Sequence, residues 1–311
     1  MRYRFVYIIL SVVSLLCLSC QKEQGGNSEG EVSTSFVLHL GENGTKSVSQ
    51  ANLVDRVYYE VWDDSFQMRL FPTEENQENF VPVEGSVAQV DIKLLKDQTF
   101  NIIFWAQNSG CNVYSWSDLK NVSVDYAGFT SNNKDIYDAF YAVEQVYSNG
   151  KDKTVYLHRP FAQLNFGTDN MDTSLGEIAI LSNSVEVSEV ATSFNTLLGR
   201  SNADSYISNV VFSAPQGGLV QQEREDKKDL SAGNANYYWV AMNYLLIPST
   251  TDASVVVNAQ FTTQFGTVSH SINNVPLKKN HMTNIVGDLF TNDASIKVVV
   301  VPVFLKPDLT N

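Results

Sequence analysis

Apolar and polar residues alternate with a period of two along most of this chain, the spacing of half-buried β-strands. Val32–Leu40 sets Val32, Thr34, Phe36, Leu38 and Leu40 on one face, and Gly41-Glu42-Asn43-Gly44 closes it with turn chemistry. Val57–Trp62 reads as a second strand stopped by Asp63-Asp64, with Val87–Ile92 and Thr99–Ala106 as two more. Ile136, Ala139, Phe140, Val143 and Val146 keep three- and four-residue spacing, which predicts one short helix over Asp135–Val146. Val155–Phe166 reads as strand broken at Arg159-Pro160, where proline implies an edge or bulge.

Beyond about Thr168 the pattern resets. Short strands are predicted near Gly176–Leu181, Ser184–Val190, Ser208–Ser213 and Tyr237–Leu246. Val255–Phe265 and Thr267–Ile272 read as a hairpin around Gly266, followed by Ile285–Phe290. The last strand, within Ser295–Lys306, is apolar on both faces: Ile296, Val298, Val300, Pro302 and Phe304 on one, Val299, Val301, Val303 and Leu305 on the other. Such a strand is buried in its own domain or added to another sheet. Many short strands with regular turns and little helix predict an all-β chain of β-sandwiches with at most short helices.

The N-terminus follows a different rule. Arg2 and Arg4 precede an apolar run, Phe5–Leu18, broken by Ser11 and Ser14 and closed by Leu18-Ser19-Cys20. A run of about 14 residues is shorter than the roughly 20 that span a bilayer, so residues 1–19 read as a secretion signal. It resembles a bacterial lipoprotein signal, with Cys20 as the acylated residue and Cys17 where leucine is usual. Residues 20–31, polar and glycine-rich, read as a flexible tether, 32–167 as an N-terminal sandwich and 168–311 as a C-terminal one.

The net charge of −13 becomes −15 once Arg2 and Arg4 leave with the signal, and such acidity argues against nucleic acid. Processing leaves Cys20 and Cys111, so no intrachain disulfide is expected beside a lipidated Cys20. His39, His158, His270 and His281 lack ligand spacing, and Cys111 has no histidine or basic pair nearby to lower its pKa. No catalytic residue, metal or cofactor is expected. Tyr114, Trp116, Tyr126 and Trp239 are aromatics that, if exposed, suit stacking on a sugar.

Several segments together resemble the fimbrillin family, pilin subunits of type V pili in anaerobic diderm bacteria. They are Cys20, the strand Ser35–Leu40, the loop ending Gly44-Thr45-Lys46, the tyrosine-rich Val57–Trp62, Leu157–Phe166 and Lys279-Asn280-His281. The resemblance implies two transthyretin-like β-sandwiches in tandem and a non-enzymatic role. It also implies assembly by proteolysis after a basic residue beyond the first strand, then filling of the vacated groove by another subunit's C-terminal strand.

Mapped onto this chain, cleavage falls at Lys46, with Arg56 as rival. The displaced strand presents Phe36, Leu38 and Leu40, and the donor strand Ile296, Val298, Val300 and Phe304. Implied partners are other pilin subunits, the outer membrane through the lipid on Cys20, and a host protein or glycan. The implied location is the cell surface, as an outer-membrane lipoprotein of a fimbrium. Two alternatives remain open: a lipid-anchored anchor or tip subunit that does not polymerise, and a surface glycan-binding lipoprotein.

Overall fold

The computed structural model describes residues 30–41, 53–74, 77, 79–129, 135–168, 172–173, 176–215, 222–223, 237–247, 252–291 and 295–301. Its strands begin with β1 (Glu31–Leu40), β2 (Arg56–Asp63), β3 (Arg69–Phe71), β4 (Phe80–Pro82), β5 (Val87–Leu95) and β6 (Thr99–Gln107). Then come β7 (Tyr114–Ser115), β8 (Asn121–Val124), β9 (Ala139–Tyr147), β10 (Lys153–Leu157), β11 (Ala162–Thr168), β12 (Asp172–Thr173) and β13 (Gly176–Glu177). The remainder are β14 (Ile180–Ala191), β15 (Ser193–Asn195), β16 (Arg200–Ser201), β17 (Tyr206–Pro215) and β18 (Gln222–Glu223), followed by β19 (Tyr238–Leu245), β20 (Asp252–Thr263), β21 (Gly266–Lys278), β22 (Met282–Gly287) and β23 (Lys297–Val301). Helical structure among the described residues is confined to 3₁₀ turns, including Tyr126–Gly128 and Asp135–Tyr137. The protein is all-β, with several sheets, as the alternation predicts.

The first layer is the sheet β10-β1-β5, which packs on β3-β2-β6-β9. Phe36, Leu38, Val90, Ile92 and Val155 from the first sheet meet Val57, Ile102, Phe104 and Phe140 from the second in one core. The second sheet is covered on both sides. Its other face sends Trp62, Ile103, Trp105 and Tyr141 into a larger core shared with the C-terminal half. Eight of nine β6 residues are therefore buried, and alternation disappears there.

The C-terminal half packs the sheet β18-β19-β11-β22-β23 on β17-β14-β20-β21. Phe166, on the first, stacks edge-on against Phe261, on the second, at 5.7 Å. A small sheet, β16-β15-β8-β7, joins segments from residues 114–124 and 193–201 and so stitches the two halves together.

Three sequence expectations change. The helix predicted over Asp135–Val146 is a single 3₁₀ turn followed by the strand β9. Ala139 to Ala142 are all buried because both faces of β9 are covered, and such a run mimics helical spacing. Of the segment Gly176–Leu181, Gly176–Glu177 forms β13 and Ile180-Leu181 opens the 12-residue β14, which also takes in Ser184–Val190. The break at Arg159-Pro160 is a crossing between sheets: β10 pairs with β1, whereas β11 pairs with β19 and β22. A division at residue 167 therefore falls inside β11.

At this crossing, Arg159 and Asp138 form a buried pair, 1% and 0% exposed, with three hydrogen bonds donated by the guanidinium at 2.8–3.0 Å. The guanidinium lies 4.3 Å over the Phe140 ring. The planar fork matches the carboxylate in the geometry that best offsets desolvation.

Candidate functional site: the first and last strands

β1 is the central strand of its sheet. It pairs antiparallel with β5 from Glu31 to His39 and parallel with β10 from Phe36 to Leu40. Phe36 and Leu38 are fully buried and Leu40 nearly so, with Phe36 packed against Phe104 at 5.7 Å. Thr34, in the same row, is 1% exposed, and its hydroxyl has no hydrogen-bond partner. On the other face the Ser35 hydroxyl donates to Asp91, the Ser35 amide donates to Asp152, and His39 stacks on Tyr156. Hydrogen bonds from the Ser35 hydroxyl and the Gln89 side-chain amide hold the Asp91 carboxyl below its usual range. The three residues predicted for the displaced strand thus share one row, walled by β5 and β10 and floored by β2, β6 and β9.

Lys46, the predicted cleavage residue, and Cys20, the predicted lipid site, lie outside the described residues. The rival Arg56 is the first residue of β2, paired with Gln107 of β6 and Pro82 of β4. Its guanidinium covers the Phe80 ring at 4.4 Å.

β23 lies on its own sandwich as the edge strand beside β22. Val301 is buried and Val299 partly so, while Val298 and Val300 are each 37% exposed. Ile296 is half-buried against the larger core, and Phe304 lies outside the described residues. Gly287, at φ 147°, ends β22 against the start of this segment; a Cβ there would overlap the Ser295 carbonyl. Glycine is what lets the last strand return so closely.

Elsewhere the chemistry-bearing side chains are accounted for by packing. His270 and His281 ring nitrogens bond to the carbonyls of Leu289 and Lys279, and His158 pairs through its backbone with Tyr141. Burial pushes the Cys111 thiol up to about 11, which leaves it neutral. Glu60, 1% exposed, accepts from the Trp62 indole and the Leu119 amide and pairs with Arg69 at 3.3 Å. Desolvation raises its pKa, partly offset by those donors. It anchors the segment around Leu119 onto β2. No cluster of three or more potential metal ligands occurs among the described residues. No described helix is long and apolar enough to cross a membrane, which leaves β-barrels unaddressed.

Of the four aromatics considered for sugar stacking, Tyr114 and Tyr126 are buried, with hydroxyls bonded to the Tyr137 and Ala191 carbonyls. They serve as core struts; Trp116 and Trp239 are half-buried. Sequence reasoning missed Asp138, whose only signal is a lone acid inside the apolar run Ile136–Val143.

Comparison with solved structures places this arrangement among known folds. A candidate cell adhesion protein from Bacteroides ovatus ATCC 8483 superposes with a TM-score of 0.54 at 14% identity, covering 88% of this chain and 98% of that one. One from Bacteroides uniformis ATCC 8492 gives 0.50 at 12%, covering 88% and 98%. A candidate polysaccharide binding protein (DUF1812) from Bacteroides thetaiotaomicron VPI-5482 gives 0.50 at 13%, covering 87% and 96%. At these identities the shared property is the fold. No curated protein matches the sequence. A family model covers residues 25–311, and the chain belongs to that family, described as a family of unknown function, DUF6562.

Proposed function

We propose that this chain is a non-enzymatic adhesive or fimbrial subunit of the cell surface, exported as an outer-membrane lipoprotein through Cys20. It has two sandwiches, divided at the crossing of residues 158–161. Cleavage after Lys46 frees β1, and the C-terminal strand of a neighbouring subunit fills the groove.

The observation that carries this reading is the place of β1 as the middle strand of a three-stranded sheet. It pairs with β5 and β10 alone, so its departure breaks no other strand pairing. The vacated groove would expose the sites of Phe36, Leu38 and Leu40. Refilling three such sites contributes about 5–9 kcal/mol by transfer bookkeeping, an upper bound, and ladder hydrogen bonds add about 0.5–1.5 kcal/mol each. A strand with alternate apolar residues fits, and Ile296, Val298, Val300 and Phe304 supply one. At its own edge β23 leaves Val298 and Val300 partly exposed, so insertion elsewhere buries more of it. The same edge position also suits an anchor or tip subunit that accepts a strand and keeps its own.

Low-dose trypsin on the purified precursor tests the proposal. A new N-terminus at Ser47 together with SDS-resistant ladders is expected. A single intact band that never ladders contradicts it.

A further inference from the structure

β1 is held unevenly along its length. Among the described residues, Phe36–Leu40 lies between two strands, whereas Glu31–Ser35 pairs with β5 alone, because the register with β10 begins at Phe36 opposite Lys153. Where β10 falls short, the Ser35 amide donates at 3.1 Å to the carboxylate of Asp152, an exposed residue. Burial follows the same gradient: Phe36, Leu38 and Leu40 are buried, while Glu31 and Ser33 are exposed and Val32 is half-buried.

Thr34 is the exception in this first half. It is 1% exposed, and its hydroxyl has no hydrogen-bond partner among the described residues. Ile92 stands opposite it on β5, and it continues the apolar row of Phe36, Leu38 and Leu40. A hydroxyl moved from water into apolar surroundings without a bond counts against the folded arrangement, and it regains its bonds as soon as the strand lifts. A valine of the same shape carries no such cost.

We infer that β1 is built to release from its N-terminal half, with Thr34 as the weak point at which displacement starts. The use of that weakness rests on the strand exchange proposed above; the weakness itself belongs to the uncut chain. Exchange proceeds when the incoming strand is held better than the one it replaces. The candidate donor row, Ile296, Val298, Val300, Pro302 and Phe304, contains no hydroxyl, so an aliphatic residue from it at the Thr34 site removes the penalty. Thr34 thereby favours exchange over retention as well as marking where it begins. Such an opening is local and needs no global unfolding.

Two variants of the full chain test it: Thr34→Val, which keeps the shape and removes the hydroxyl, and Thr34→Ser, which keeps the hydroxyl and removes the methyl. In the uncut, unsubstituted chain, amides of residues 32–35 are expected to exchange hydrogen about tenfold or more faster than those of residues 37–40. Thr34→Val should slow hydrogen exchange at 32–35 by about tenfold, and Thr34→Ser should not slow it. After trypsin, ladders of Thr34→Val should form about tenfold more slowly than those of the unsubstituted chain. Uniform hydrogen exchange along β1, rates at 32–35 unchanged by Thr34→Val, or ladders of Thr34→Val at the unsubstituted rate overturns the inference. Failure of the unsubstituted chain to form ladders counts against strand exchange instead, and the hydrogen-exchange comparison then decides the weak point by itself.

Discussion

Asp138→Ala lowers the stability of the folded chain by about 3–5 kcal/mol, because it leaves the Arg159 guanidinium desolvated without its carboxylate. Arg159 is 1% exposed and gives Asp138 three hydrogen bonds, so water cannot stand in for the lost partner. At roughly 2–4 °C per kcal/mol for a chain of this size class, the melting temperature falls by about 10 °C. Replacing both partners with apolar residues of similar volume, as in Asp138→Leu with Arg159→Met, costs much less. Calorimetry on the two variants decides the matter. A loss below about 1 kcal/mol for Asp138→Ala would show that the pair does not hold the crossing between the sandwiches.

The second large effect is on assembly. Val298→Asp with Val300→Asp abolishes SDS-resistant ladders while leaving the uncleaved chain close to its original stability. Both valines are more than a third exposed on the edge strand, so the monomer loses within about 1 kcal/mol. In a groove that buries Phe36 and Leu38 completely, two carboxylates in alternate positions meet apolar walls and cannot be solvated. Ladder formation by this variant at the normal rate would remove Val298 and Val300 from the donor face.

Much of the fold was legible because alternation survives wherever one face of a strand meets solvent. β1 and β5 are such strands, and their buried rows fall where the apolar residues fall. Legibility fails where both faces are covered. β9 was predicted as helix because Ala139 to Ala142 are all buried, which erases the period of two. The sheet formed by β7, β8, β15 and β16 was invisible, since it joins segments about 70 residues apart through strands of two to four residues. Of the candidate site, the row Phe36, Leu38 and Leu40 could be read directly, and β23 was recognisable as apolar on both faces. Its place at a sheet edge could not be read, because edge and centre differ only in what lies alongside.

The pairing of Ser35 with Asp91 across β1 and β5 offers the most direct test of strand exchange. Directly opposed antiparallel residues lie about 4.5–5.5 Å apart at Cα, within disulfide range. Ser35→Cys with Asp91→Cys therefore locks β1 in place when oxidised. After trypsin treatment the locked chain should remain free of ladders, and reduction should restore them. Ladders formed equally well with the lock closed would contradict the claim that β1 must leave.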